Sequence, residues 1–268
     1  MNRKILAIII TFVLILSTIS INAFAKADEI KFRNFEWGMT KNEVLQFIKE
    51  NKADIGLPSE DTIESDSYQI DLLPLMINVQ DKEEYNIEKE YNRYRVNYNK
   101  LTWWLFNTVD VAGYDADLQM RFANPVINGE IEENSDNGIF FEAEYSIRCK
   151  DKWESNKTYN ELLEKLLAVY DSDSVVGNGL YDFNYTISYE DEVLDAKLLK
   201  AEDNSRILIC RVHSSWGIGS DTVYIVYFAP NILELTKDSV EYYIARDKEF
   251  EAKRQAENDE KMNNVNGL

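Results

Sequence analysis

Hydrophobic and polar residues alternate with a period of two along several stretches of this chain, and recur with a period near 3.6 along two others. The first pattern is that of a half-buried β-strand and the second that of an amphipathic helix. Ala116, Leu118, Met120 and Phe122 alternate with Asp117, Gln119 and Arg121. Phe141, Ala143, Tyr145, Ile147 and Cys149 share one face of a second segment while Glu142, Glu144, Ser146 and Arg148 take the other, which predicts a sheet covered on one side only. Tyr181, Phe183, Tyr185, Ile187 and Tyr189 repeat the pattern. Strands are therefore predicted over 101–111, 115–122, 139–149, 181–189, 193–200, 206–213 and 222–229. Ala112-Gly113-Tyr114 joins the first two, and the Gly-rich run from Gly217 to Asp221 joins the last two as a hairpin-like connection.

Two helices stand out. Thr40 is placed to cap the first, Glu43 completes a capping box, and Val44, Phe47 and Ile48 supply its apolar face. The second is predicted over 158–170, where Tyr159, Leu162, Leu163, Leu166, Leu167 and Tyr170 form one stripe that has to pack on a sheet. Residues 81–93 are charged and suit a short solvated helix, and Tyr94, Val96 and Tyr98 begin a further alternation. From Ser239 to Met262 the chain is rich in Glu, Lys, Ala and Arg with few apolar positions, the pattern of a largely solvated helix ending in a frayed tail.

These elements predict an α+β fold with antiparallel sheets and helices on one face. Helix followed by strands occurs twice, on either side of residue 152, so two similar halves are expected from element order, with no residue-level repeat between them. The expected organisation is a signal peptide over 1–25, a first α+β unit over 26–152, a second over 153–236, and a charged C-terminal helix and tail over 237–268.

The signal peptide rests on three features. Asn2, Arg3 and Lys4 form a positive head, Ile5 to Leu16 form an apolar run interrupted only by Thr11, and Ala23-Phe24-Ala25 offers small residues at the positions that signal peptidase accommodates. Cleavage after Ala25 gives a secreted or extracytoplasmic protein with no membrane span after processing. The competing reading is an uncleaved anchor, since 5–21 approaches the roughly 17 to 20 residues a bilayer requires. Ser17, Thr18, Ser20 and Asn22 soften the end of the run and favour cleavage.

Charge narrows the partners. The full chain carries a net charge of −19, and loss of Arg3 and Lys4 with the leader takes it to −21, because all 48 acidic residues lie beyond residue 25. Such a field repels nucleic acid and anionic membrane surfaces, and no run of Lys and Arg provides a local exception. The 45% hydrophobic and 12% aromatic content separates the chain from disordered acidic segments.

Candidate chemistry is sparse. His213, the only histidine, lies three residues after Cys210, and a strand puts residues three apart on opposite faces, so the two make no local dyad. One His and two Cys exclude His-pair and Cys-rich zinc motifs, and no Gly-x-Ser-x-Gly elbow occurs. Asp171-Ser172-Asp173 begins like a calcium loop and fails at Val175 and Val176. The loop from Gly129 to Gly138 gathers Glu130, Glu132, Glu133 and Asp136, which reads as a solvated acidic turn before a cation site. No catalytic, metal or cofactor residue is assigned. Cys149 and Cys210 are open to two readings, a disulfide in an oxidising compartment or two buried thiols. Trp103, Trp104 and Trp216 are the candidate binding aromatics: in a strand one of the adjacent pair faces away from the core, and Trp216 sits beside Gly217 in a turn.

Phe35-Glu36-Trp37-Gly38-Met39-Thr40-Lys41-Asn42-Glu43-Val44 resembles the F-x-W-G-M-[ST]-x-x-E-V opening of a group of exported bacterial proteins, and distantly the BamE-type envelope lipoproteins and the repeats of β-lactamase inhibitor protein. Val111-Ala112-Gly113-Tyr114, the segment 159–170 and the closing Asn266-Gly267-Leu268 are similar to the first group as well. The resemblance implies a helix capped by Gly-Met-Thr and packed on an antiparallel sheet, and a role in binding proteins. The lipobox Cys of the envelope lipoproteins is missing here, which turns the expectation toward a released protein. The reading is an exported, non-catalytic binding or interaction protein of the envelope or exterior, whose partner is a protein or an envelope polymer. The alternative is a cell-envelope hydrolase whose carboxylates meet only in the fold.

Overall fold

The structure is a computed structural model, and it describes residues 29–50, 52–58, 102–132, 135–170, 186–188, 191–214 and 220–265. The leader read over 1–25, the segments 81–93 and 94–98, Asp171 to Asp173, Tyr181 to Tyr185, Tyr189, Trp216 and the end of the tail at 266–268 lie outside the described residues.

The first described element is α1 (Lys41–Lys49). Its capping box forms as the sequence predicts: the Glu43 N–H donates to Thr40 Oγ1 at 3.2 Å, and the Thr40 N–H donates back to Glu43 Oε2 at 2.7 Å. Those bonds hold the Glu43 carboxyl below its ordinary range. Val44 and Ile48 are buried, one turn apart.

Strands β1 (Thr102–Val111), β2 (Tyr114–Ala123), β3 (Val126–Ile127), β4 (Glu130–Ile131) and β5 (Ile139–Cys149) follow; α2 (Lys152–Val169) leads to β6 (Thr186–Ser188), β7 (Asp191–Lys200), β8 (Arg206–Ser214) and β9 (Ser220–Phe228), and α3 (Ile232–Val265) closes the chain. Seven strands make one antiparallel sheet in the order β1-β2-β5-β9-β8-β7-β6, and β3 pairs with β4 as a separate hairpin. The β1–β2 turn has Ala112 at φ +57° and Gly113 at φ +94°, the two consecutive left-handed residues that a twisted two-residue hairpin needs.

Strands from both sides of residue 152 meet in this sheet, where β5 pairs with β9 from Glu142↔Phe228 to Cys149↔Asp221. β1-β2-β5 fills one side of this junction and β9-β8-β7-β6 the other.

Both faces carry buried clusters. On the face that receives α1 and α2, Leu118, Met120, Phe122, Tyr145, Ile207, Ile209, Val223 and Ile225 pack with Val44, Tyr159 and Leu162. On the other, Leu198, Leu208, Cys210, Val212, Val226 and Phe228 form a second cluster, and Ile232 at the start of α3 packs against it. Glu142 and Glu144, which the alternation assigned to solvent, are 1% and 7% exposed, so that part of the face is covered, while Arg148 further along β5 is exposed as the alternation predicts. Arg121 bonds both of them, contacting Glu142 through Nη1 and Glu144 Oε2 through Nη2 at 3.1 Å.

A bulge corrects a second detail of the pattern. Arg121 pairs with Glu142 but Phe122 pairs with Phe140, so Phe141 is the extra residue. Phe140 therefore joins the main core, stacked on Trp37 at 5.0 Å, while Phe141 packs with Ala123 and Ala229.

The Phe-Glu-Trp-Gly-Met-Thr segment is the joint between α1 and this bulged strand. Phe35 is fully buried, the Trp37 Nε1–H donates to the Ile30 carbonyl at 2.9 Å, and Gly38 at φ +84° turns the chain so that its N–H reaches the Phe140 carbonyl at 3.0 Å. The Phe140 N–H bonds the Met39 carbonyl at 2.9 Å, and Thr40 bridges Ile139. α1 thus starts where the sheet ends.

Candidate functional site

α2 is six residues longer at its start than the apolar stripe predicted, because polar capping rather than hydrophobic periodicity sets its first turn. Asp151 is the N-cap, its Oδ1 accepting from the Glu154 N–H at 2.8 Å, and Glu154 Oε2 accepts from the Lys150 N–H at 2.7 Å. Ser155, Thr158, Tyr159 and Leu162 are the buried side. Trp153 lies nine residues before Leu162, and at 100° per residue that is the opposite side of the helix. Its indole is accordingly 74% exposed, the most exposed of the large apolar side chains described. Asn156, Lys157 and Asn160 are exposed at three, four and seven residues further, so all four lie on one face. The Lys157 ammonium sits 5.9 Å from the Trp153 ring centroid.

A polar network fixes this turn from beneath. Asp221 of β9 is 1% exposed and stands beside His213 of β8 on one side and Cys149 of β5 on the other. Ser155 Oγ donates to Asp221 Oδ2 at 2.5 Å, and His213 Nδ1 lies 2.6 Å from Asp221 Oδ1. Arg211 donates to Asp195 Oδ2 through Nε at 2.9 Å and Nη2 at 2.5 Å, while its Nη1 lies 3.4 Å from the Lys152 carbonyl and 3.5 Å from Ser155 Oγ. Burial opposes ionisation of Asp221, but the bonds from Ser155 and His213 and the charges of His213 and Arg211 outweigh it, holding its carboxyl below the ordinary range.

The chemistry of this network is that of an anchor. Ser155 and His213 both bond to the one carboxylate, so the serine is not aimed at the imidazole that would have to take its proton. Asp221 is biased toward its ionised form, opposite to the raised pKa of a carboxylic acid that donates a proton near neutral pH. Cys149, alongside, is shifted up by burial first and then by the acidic groups Glu154, Asp221 and Asp151, against a hydrogen bond from Thr158, so it stays a thiol.

The residues singled out in the sequence fall in different places. Trp104 is buried against Phe122, ring centroids 4.8 Å apart, with the Lys41 ammonium 5.6 Å from its own ring. Trp103 occupies the register position opposite Arg121 on β2, and Trp216 lies outside the described residues. Cys210 and His213 do sit on opposite faces, Cys210 in the second cluster and His213 in the network under α2. Cys149 and Cys210 are free buried thiols on opposite sides of the sheet, which rules out a bond between them in this fold. In the acidic loop Glu130, Glu132 and Asp136 are exposed; Glu130 accepts from Tyr242 at 3.2 Å and Glu132 from Ser135 at 2.9 Å. Among the described residues no group of three or more His, Cys, Asp or Glu side chains is arranged to hold a metal ion, and no helix is long and apolar enough to cross a membrane.

Trp153 escaped the sequence reading because the helix was started at Thr158, which left it in no element. Asp151-Lys152-Trp153-Glu154, an N-cap residue with Glu three positions on, is the signal that moves the start and turns Trp153 outward.

Comparison with known proteins found no matching family model, no matching curated protein and no matching solved structure.

Proposed function

We propose that this is an exported, non-catalytic binding protein that works in the cell envelope or outside the cell, and that the outer face of α2 around Trp153 is where it binds. The observation that carries this reading is the exposure of Trp153 on a turn held rigid from below. A tryptophan leaves much of its hydrophobic stabilisation unused when three quarters exposed, and burying it on contact is worth roughly 1.5–3 kcal/mol. The Ser155–Asp221–His213 and Arg211–Asp195 bonds fix the backbone that carries it, so little ordering is lost on association. The leader, the absence of a lipobox Cys and the acidity of the chain support a released location.

The test is retention from envelope extract by the exported protein and by its Trp153→Ala variant. The reading expects a component that the wild type holds saturably and the variant releases. An identical retained set for the two proteins would overturn the assignment to this face.

A further inference from the structure

We infer that the leader has to be cut before residues 30–35 are seated in the core, and that the seated segment then holds the Ala25–Lys26 bond out of reach of signal peptidase; this rests on the export reading above.

Three observations carry it. The first is how soon after the cut the chain becomes interior. Lys26, Ala27, Asp28 and Glu29 follow the Ala23-Phe24-Ala25 site, and the next residue, Ile30, is fully buried. Its N–H donates at 2.8 Å to the hydroxyl oxygen of Ser205, a fully buried residue in the turn between β7 and β8. The processed chain is thus fixed to its far half from its fifth residue on.

The second is the way the segment is held. Phe32 and Phe35 are 1% and 0% exposed, and the Phe32 ring lies 5.3 Å from that of Tyr145 on β5 and 5.4 Å from that of Tyr227 on β9. Those are the two strands that join the sheet across residue 152. Arg33 donates to the Tyr145 hydroxyl through Nε, to the Asp54 carbonyl through Nη1 at 2.8 Å and to the Asp110 carbonyl through Nη2 at 2.6 Å. Arg33 at φ +45° and Asn34 at φ +66° are both left-handed, in a turn closed by the Phe35 N–H on the Phe32 carbonyl at 2.8 Å. Two consecutive non-glycine residues keep that conformation where their surroundings impose it. The segment therefore takes its shape from the assembled core, and releasing it exposes three large apolar side chains.

The third is reach. Four extended residues span at most about 14 Å, whereas a folded domain of this length has a radius of gyration of about 18 Å. Once residues 30–35 are seated, the bond lies nearer to the body than the body's own radius, yet the peptidase has to take the chain around Ala-x-Ala into its site. The leader ties the same bond to the bilayer, against a body of net charge −21 that an anionic surface repels. Cleavage of a folded precursor then waits on opening of the segment, and its rate falls with the population of the open form.

The experiment is cleavage of the purified full-length precursor, folded in detergent micelles, by purified signal peptidase, with the new N-terminus identified by sequencing. Wild type is compared with a variant carrying about ten Gly and Ser residues between Asp28 and Glu29, and with Phe32→Ala. The spacer variant is expected to melt at the wild-type temperature and to be cut before Lys26 about a hundredfold faster; Phe32→Ala should melt lower and also be cut faster than wild type. A spacer variant less than about tenfold faster than wild type, or a rate indifferent to Phe32→Ala, would overturn the latch while leaving the leader. Failure of all three precursors to be cut before Lys26 would overturn the export reading and the latch with it.

Discussion

Replacing Arg121 by Met tests the claim that the second face of the sheet is a true interior around this residue. Arg121, Glu142 and Glu144 have side chains 6%, 2% and 9% exposed, and the guanidinium bonds both carboxylates. Without it, two carboxylates stand on one face of β5 two residues apart, about 7 Å by strand geometry. At an effective dielectric near 20 their repulsion alone is roughly 2.4 kcal/mol. Adding the lost pairing with the guanidinium brings the expected destabilisation to about 3–5 kcal/mol, a large part of the 5–15 kcal/mol that holds a typical domain. Urea unfolding followed by far-UV circular dichroism should show a midpoint lower by more than about 1 M with an unchanged slope. Exchanging all three for apolar residues, Arg121→Met with Glu142→Leu and Glu144→Met, should recover to within about 1 kcal/mol of wild type. A single variant that loses under about 1 kcal/mol, or a triple variant no better than the single, would refute the buried network.

Three further outcomes follow from particular contacts. Under non-reducing conditions Cys149 and Cys210 should resist a thiol reagent in the native protein and yield two equivalents in denaturant; no thiol in denaturant would mean that a disulfide had formed against this fold. Asp221, held below its ordinary value, contributes stability that is present above about pH 3.8 and lost as pH falls through its lower folded value. Ser155→Ala should therefore destabilise the protein at neutral pH and flatten its acid unfolding limb, and an unchanged limb would remove Ser155 from the network. Gly38→Ala meets no closer neighbour than Leu235 Cδ2 at 3.7 Å, so its cost should be the left-handed backbone strain of about 1–2 kcal/mol, read as a lower melting temperature. A neutral substitution would show that Gly38 does not hold the turn into the Phe140 carbonyl.

Much of this protein was legible one element at a time. Thr40 and Glu43 carry the start of α1 because a capping box is made by residues three apart. Strand β5 appears at 139–149, and from Glu142 onward its residues take alternate faces as predicted, since alternation is set by local backbone geometry. The first turn of α2 was legible too, in Asp151 and Glu154, but only to a reading that weighs caps above apolar stripes.

What needed the tertiary structure were relations between elements distant in the chain. Alternation tells which residues of one strand share a face, but not whether that face is covered: Glu142 and Glu144 read as solvent residues until Arg121 on the neighbouring strand made them interior. The bulge at Phe141 comes from the register of β2 against β5, which no pattern within β5 contains. Cys149 and Cys210 each sat in a recognisable strand, yet their separation by the sheet follows only from the pairing of β5, β9 and β8. Trp153 became a site candidate in the same way. Its outward direction is a local property of α2, whereas the rigidity behind it comes from Asp221 and His213, which lie 66 and 58 residues from Ser155 and meet it only when β8 and β9 pair beneath the helix. Local geometry is written in spacings of two, three and four residues; burial, register and the convergence of charged groups depend on long-range pairing, and that is decided by the fold as a whole.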